Sequence, residues 1–258
     1  MKYLNALCAE IKISLESTWS YKMNFISDIL FIGGLYTALL FLGTGTSLGN
    51  YYGSPEDSKS LLLIGYILYS FSILAINLVS SNIEAEATRG TLEQKLTSII
   101  PLYVLMIGRL ISGMLIELVE LAIILIFSVL IFHVGISINL NVIITLLITI
   151  AGMYGMGLMF GGLTLKFKNI GRIMYIIQTL LLFVSNTLTV VSDKFSIINL
   201  IPLTTGNDLI RKALVGQAIP MSEYLTLAAI SLVWLAIGIV TFNFLKKLSR
   251  IDGLVGSY

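Results

Sequence analysis

An all-α polytopic membrane protein is the fold class this sequence predicts, and three observations predict it. Of the 258 residues, 57% are hydrophobic and only 12% charged, with a mean hydropathy of +0.95, outside the balance of a soluble domain. Six apolar stretches, at 25–42, 61–80, 110–132, 140–165, 173–191 and 224–245, are each close to the roughly 20 residues that cross a bilayer core of about 30 Å. The roughly ten-residue segments of alternating polarity that mark an outer-membrane barrel are absent, so the spans are helices. The connections leave no room for a separate soluble domain, and residues 1–258 read as one transmembrane domain.

Residues 1–24 precede the first span and carry Lys2, Glu10, Lys12, Glu16 and Lys22. Leu4, Leu7, Cys8, Ile11, Leu15 and Trp19 fall at helical spacing, with the charges elsewhere on the wheel. The pattern predicts an amphipathic helix lying in the membrane interface, with Trp19 and Tyr21 at headgroup level. No small-residue cleavage site follows the 25–42 stretch, which reads as a retained span rather than a signal peptide. The connection 43–60 is rich in Gly and Ser and reads as a turn-rich external loop. The apolar run after Pro101 would make roughly 46 Å of helix by Phe132, more than one perpendicular span needs, so it begins in the interface with Arg109 snorkelling to the headgroups.

The fourth span carries Gly152, Gly155, Gly157, Gly161 and Gly162, which permit close helix approach, either within the chain or at a dimer seam. Segment 193–223 holds the apolar run 195–203 and a short amphipathic piece at 208–215. Too short to span, it reads as external or re-entrant structure capping the last two spans. No internal repeat of broken spans is visible.

Segments 1–24, 81–109, 166–172 and 246–258 hold twelve of the sixteen basic residues. The other four are Lys59, Lys194, Arg211 and Lys212. That asymmetry predicts cytoplasmic termini and a cytoplasmic Glu84–Gln94 segment. No basic cluster is dense enough for nucleic acid. Cys8 is the single cysteine, so no intrachain disulfide forms. There is no Gly-x-x-x-x-Gly-Lys-[Ser/Thr] phosphate loop and no Gly-x-Ser-x-Gly. The lone His133 has no second His or Cys to complete a metal site. Catalytic and metal-binding roles therefore have little to rest on, and no cofactor is expected in this chain.

Ionisable residues inside spans are functional candidates, because each costs roughly 2.5–3.5 kcal/mol at mid-bilayer on insertion scales. Glu117 and Glu120 share a face of the third span at i, i+3, and Asp28 sits near the start of the first. Asn77 on the second span and Gln178, Ser185, Asn186 and Thr187 on the fifth either face a translocation path or bond between helices.

The most informative segment is Glu84-Ala-Glu-Ala-Thr-Arg-Gly-Thr-Leu-Glu-Gln94. It is charged and helix-favouring, and it joins two long apolar stretches. It cannot enter hydrocarbon, so it lies at the membrane face, open to a soluble partner. Here the chain resembles the permease subunits of type-2 ATP-binding-cassette transporters. The matching residues are Glu84, Glu86 and Arg89, then Gly90-Thr91-Leu92-Glu93, Pro101 opening the third span, and Gly108-Arg109. A second echo is Pro202 followed by Arg211 before the last span. Ser98-Ile99-Ile100 departs from the family's shorter approach to the proline. The external loops are also too small for a large substrate-receiving domain.

The resemblance implies a coupling helix at residues 83–97 that docks into a separate ATPase subunit, which binds ATP and Mg. Glu84, Glu86, Arg89 and Glu93 would contact that subunit while Leu92 and Leu96 anchor the helix, with Arg89 and Glu93 at i, i+4. It further implies two permease copies, as homodimer or heterodimer, in the plasma membrane, exporting an amphiphilic compound. Antibiotic, peptide, lipid-linked glycan and ion exporters share this plan, and the short external loops favour a drug, antibiotic or antimicrobial peptide. A proton-coupled secondary transporter using Glu117 and Glu120 is the alternative. A membrane-embedded enzyme or assembly factor is a third reading, without a catalytic constellation to support it.

Overall fold

The computed structural model of the chain describes residues 2–20, 22–97, 100–135, 138–168, 170–190 and 196–251. Tyr21, Ser98, Ile99 and residues 191–195, with the side chains of Trp19 and Leu96, lie outside the described residues. All regular structure among those described is helical. The order is α1 (Lys2–Ser20), α2 (Lys22–Phe41), α3 (Gly45–Tyr52), α4 (Ser58–Thr88), α5 (Leu92–Leu96), α6 (Leu102–Phe132), α7 (Leu140–Phe167), α8 (Gly171–Val184), α9 (Pro202–Leu214) and α10 (Met221–Ile251). Short 3-10 turns cover Pro55–Asp57 and Ser196–Leu200.

Among the described residues five helices, α2, α4, α6, α7 and α10, are long and apolar enough to cross a membrane. The chain is an all-α multi-pass membrane protein. α4 and α7 are mostly buried, whereas α2, α6 and α10 turn apolar side chains outward. Small residues bring the inner helices together. A Cβ on Gly155 would lie 2.5 Å from the Trp234 backbone, and one on Gly238 would lie 2.0 Å from the Gly155 carbonyl. α7 and α10 therefore meet backbone to backbone, and the glycine-rich face of the fourth span packs inside the chain.

The fifth stretch departs from expectation. α8 has 14 residues, about 21 Å of helix, and the chain leaves it at Ser185. Asn186 adopts a left-handed φ of 56°. Irregular backbone at membrane depth persists only where protein satisfies it, and here it does. The Arg211 guanidinium donates to the Asn186 carbonyl and, at 2.6 Å, to that of Thr187, while the Asn207 amide donates to the Ser185 carbonyl at 2.8 Å. Those donors ride on α9, which starts on Pro202 and packs among α4, α7 and α10.

The 43–60 connection is also more ordered than its composition suggests. α3 forms there because Gly45 and Gly49 let it lie against Ser58, where a Cβ would come within 2.7 Å of the carbonyl and 2.1 Å of the hydroxyl.

Candidate functional site

The segment expected as one helix over 83–97 is two pieces hinged on a glycine. α4 continues through Glu84 and Glu86 to Thr88, and Gly90 then takes a left-handed φ of 71°. The Thr91 N–H donates to the Glu86 carbonyl and the Gly90 N–H to the Ala87 carbonyl, at 3.0 Å each. This is the two-bond closure that ends a helix on a left-handed glycine. The chain then turns into the five-residue α5.

The turn divides the charged residues into two sets. Arg89, Glu93 and Gln94 are exposed, and Glu84 is half-buried with a carboxylate oxygen accepting from the Ile170 N–H at 3.4 Å. Arg89 and Glu93 stand on opposite sides of the turn, with no ion pair between them among the described residues, because the helix that would align them ends at Thr88. Leu92 is buried. Glu86 is buried too, at 3% exposure, and so cannot present its carboxylate to a partner as the sequence reading had it.

What Glu86 does is close a ring of four charges. Its Oε1 lies 2.6 Å from Arg109 Nη2 and 3.0 Å from Lys95 Nζ. Lys95 Nζ lies 2.9 Å from Glu10 Oε1, and Arg109 Nε lies 2.8 Å from Glu10 Oε2. The Thr91 hydroxyl donates to Glu86 Oε2, and Arg109 Nη1 donates to Asn82 Oδ1. Two acids and two bases alternate, drawn from α1, the end of α4, α5 and the start of α6. Burial on its own would raise the Glu10 carboxyl. Hydrogen bonds from Lys95 and Arg109, and their charges, outweigh that and hold it below the ordinary carboxylate range. The Gly108-Arg109 step acquires a physical meaning, since a Cβ on Gly108 would lie 3.0 Å from the Leu7 carbonyl. Glycine lets α1 approach α6, and the next residue pairs with Glu10.

Sequence reasoning placed Glu10 away from the apolar face of the first helix and Arg109 among the lipid headgroups. Both are instead half of this ring. The available signal was the cluster of opposite charges at 10, 86, 95 and 109 around one glycine step. Their distance along the chain hid it.

The intramembrane candidates also divide. Gln178 Nε2 donates to Asn77 Oδ1 at 2.6 Å, and the Tyr69 hydroxyl donates to the Gln178 carbonyl at 3.1 Å. These side chains bond α8 to α4. Ser185 and Thr187 are buried within hydrogen-bond distance of each other, and Thr187 accepts from the Asn207 amide at 3.1 Å. Asn186 serves through its carbonyl. Glu117 is half-buried and Glu120 is 4% exposed. Neither has a hydrogen-bond or ion-pair partner among the described residues.

An apolar cavity of about 900 Å³ opens beside the α1–α2 junction, walled by Leu15, Phe25 and Ile26 on one side and Leu115 and Val119 of α6 on the other. Glu16, Ser20 and Lys22 also line it.

The family profile described as "ABC-2 type transporter" matches residues 6–215, most of the chain and every member of the charge ring. No curated protein matches the sequence.

Proposed function

The chain belongs to the ABC-2 type transporter family, and from that premise we propose that it is the membrane-spanning subunit of an exporter. It moves an amphiphilic compound outward by alternating access, driven by ATP hydrolysis in a separate ATPase subunit that binds ATP and Mg. A drug, an antibiotic or an antimicrobial peptide is the favoured cargo. The apolar cavity with a charged rim at the α1–α2 junction supports an amphiphile over a fully polar solute. The working unit contains a second permease copy and sits in the plasma membrane, with both termini in the cytoplasm.

The observation that carries this reading is the layering around Gly90. Arg89, Glu93 and Gln94 face outward, with Glu84 at the margin, as a contact surface for the ATPase subunit. Directly beneath, Glu86 and Lys95 bind that surface to α1 and α6 through the charge ring. A force applied to α5 is then delivered to three helices at once. Gly90 and Thr91 supply the hinge, and Leu92 is its buried anchor. Glu117 and Glu120, lacking partners among the described residues, are the candidates for the pathway itself.

The test is reconstitution with the cognate ATPase, scored by hydrolysis and by pull-down of the nucleotide-binding subunit. Arg89→Glu combined with Glu93→Lys is expected to insert and fold normally while losing both signals, because reversed charges leave their partners unmatched across the interface. If both signals survive, the coupling surface is wrong. Transport that continues without ATP and collapses with a protonophore would instead support the secondary transporter using Glu117 and Glu120. Topology has its own check. A cysteine at position 57 in a Cys8→Ser background should label from outside the cell, and labelling only from the cytoplasm would overturn the orientation.

A further inference from the structure

At the end of the bundle opposite the charge ring, a cavity of about 390 Å³ lies among α3, α9 and the start of α10. That volume is within the range of small-molecule sites. Its wall includes Tyr51, Asn199, Thr204, Asp208, Lys212 and Glu223.

The charges in that wall are already matched. Lys212 Nζ lies 2.8 Å from Asp208 Oδ2 and 2.9 Å from Glu223 Oε2, and the Tyr52 hydroxyl donates to Asp208 Oδ1 at 2.8 Å. Burial works against the Lys212 ammonium, but its bonds to both carboxylates outweigh that and raise it, so it stays charged. The neighbouring Arg211 is committed to the carbonyls of Leu61, Asn186 and Thr187. An anionic ligand would meet two carboxylates, and a cationic one would compete with an ammonium already in place.

A neutral ligand with hydroxyls meets neither obstacle. Glu223 and Asn199 offer oxygens to ligand hydroxyls, and Leu200 and Ile230 offer apolar patches for the C–H faces of a ring. Thr204 supplies the independent sign. It is 1% exposed, it lines the cavity, and its hydroxyl has no hydrogen-bond partner among the described residues. Its neighbours Thr205 and Thr226 donate to the Asn199 and Ser222 carbonyls at 2.9 Å each. A buried hydroxyl left unpaired is costly, and a hydroxyl-bearing ligand would satisfy it. We infer that this cavity binds a neutral, hydroxyl-rich group of saccharide size. The site is read on the chain alone and does not depend on the transport reading.

The structure provides a reporter. Trp234 Nε1 donates to the Leu200 carbonyl at 2.7 Å, and Leu200 lines the cavity. The sequence has two tryptophans, so Trp19→Phe leaves Trp234 as the single fluorophore. The full-length Trp19→Phe protein in nanodiscs would be titrated separately with methyl β-glucopyranoside, tetramethylammonium and inorganic phosphate. A saturable change with the glucoside alone is expected. Thr204→Val and the exposed Asn199→Ala should each raise the half-saturating concentration about five- to tenfold, the loss of one hydrogen bond. Saturation by tetramethylammonium or phosphate would overturn the assignment, as would the absence of saturation by the glucoside or identical glucoside curves in both variants and parent.

Discussion

Both ends of α4 bury charge, and they hold it by different means. Near Glu86, two carboxylates and two cations alternate, each touching two opposite charges. Near Leu61, about 37 Å away along the helix, the fully buried Arg211 is held by three backbone carbonyls and shows no ion pair among the described residues. Its guanidinium is pushed down by burial, with Tyr52 and Asp208 acting in the other direction. The ring depends on charge, and small changes in geometry can be absorbed by a neighbouring pair. The Arg211 clamp depends on the fork of a guanidinium, because three carbonyls in fixed directions need donors in fixed directions.

The clamp should therefore give the largest effect. Arg211→Ala removes the guanidinium donors from the Asn186 and Thr187 carbonyls, at about 1–3 kcal/mol each, and frees the broken end of α8, so monodisperse yield in detergent should collapse. Arg211→Lys should recover little, since an ammonium keeps the charge but not the fork. Full recovery by lysine would place the two ends on the same footing and break the comparison.

At the ring, Glu86→Ala leaves Arg109 and Lys95 sharing Glu10, a loss of about 3–5 kcal/mol for a buried network stripped of one partner. Arg109→Lys should cost about 1–2 kcal/mol, because the charge remains and only one arm's contacts go. The contrast between the two Arg→Lys substitutions, measured by thermal unfolding in one detergent, is the sharpest single comparison.

Glu10 gives a smaller effect that depends on pH. Its carboxyl lies below the ordinary value of 4.5 in the folded chain. The stabilisation it supplies is therefore complete above that value and fades as pH falls through the depressed folded one. Amide exchange in α1, taken relative to the intrinsic rate at each pH, should accelerate on acidification below about pH 4.5 in the parent. In Glu10→Gln it should already be faster at neutral pH and change less with acid. A parent profile that is flat from pH 7 to pH 3 would remove Glu10 from the ring.

How much of this was legible depended on whether a feature is local in the chain. Hydrocarbon length and apolar runs fixed five spans, since each is a property of one continuous stretch. The glycines of α7 announced close packing for the same reason, although only the structure assigned α4 and α10 as the partners. The break in α8 was hidden because Ile173, Ile176, Leu180 and Phe183 continue the apolar pattern to its end. The residue that ends it, Arg211, lies elsewhere in the sequence. Glu86 was misassigned to a partner surface for a related reason. A carboxylate in a charged segment looks solvated until a distant Arg109 and Glu10 are brought to it.

The smallest expected effect on stability falls on Arg89 and Glu93, and it separates what the ring does from what the surface above it is proposed to do. Both are exposed, on opposite sides of the Gly90 turn, and belong to no ion pair among the described residues. Surface substitutions away from caps and cores usually stay within about 0.5 kcal/mol. Arg89→Glu and Glu93→Lys should thus leave the unfolding temperature of the isolated chain unchanged, whereas Glu86→Ala lowers it. Hydrolysis by the reconstituted complex should follow a different order, falling in all three variants. Glu86→Ala would lose it because α5 is no longer tied to α1 and α6, and the surface pair because the partner no longer docks. Pull-down distinguishes the two routes: Glu86→Ala should still capture the ATPase subunit and the surface pair should not. Equal capture by all three variants, with hydrolysis intact in the surface pair, would mean that the exposed residues around Gly90 are solvated and nothing more.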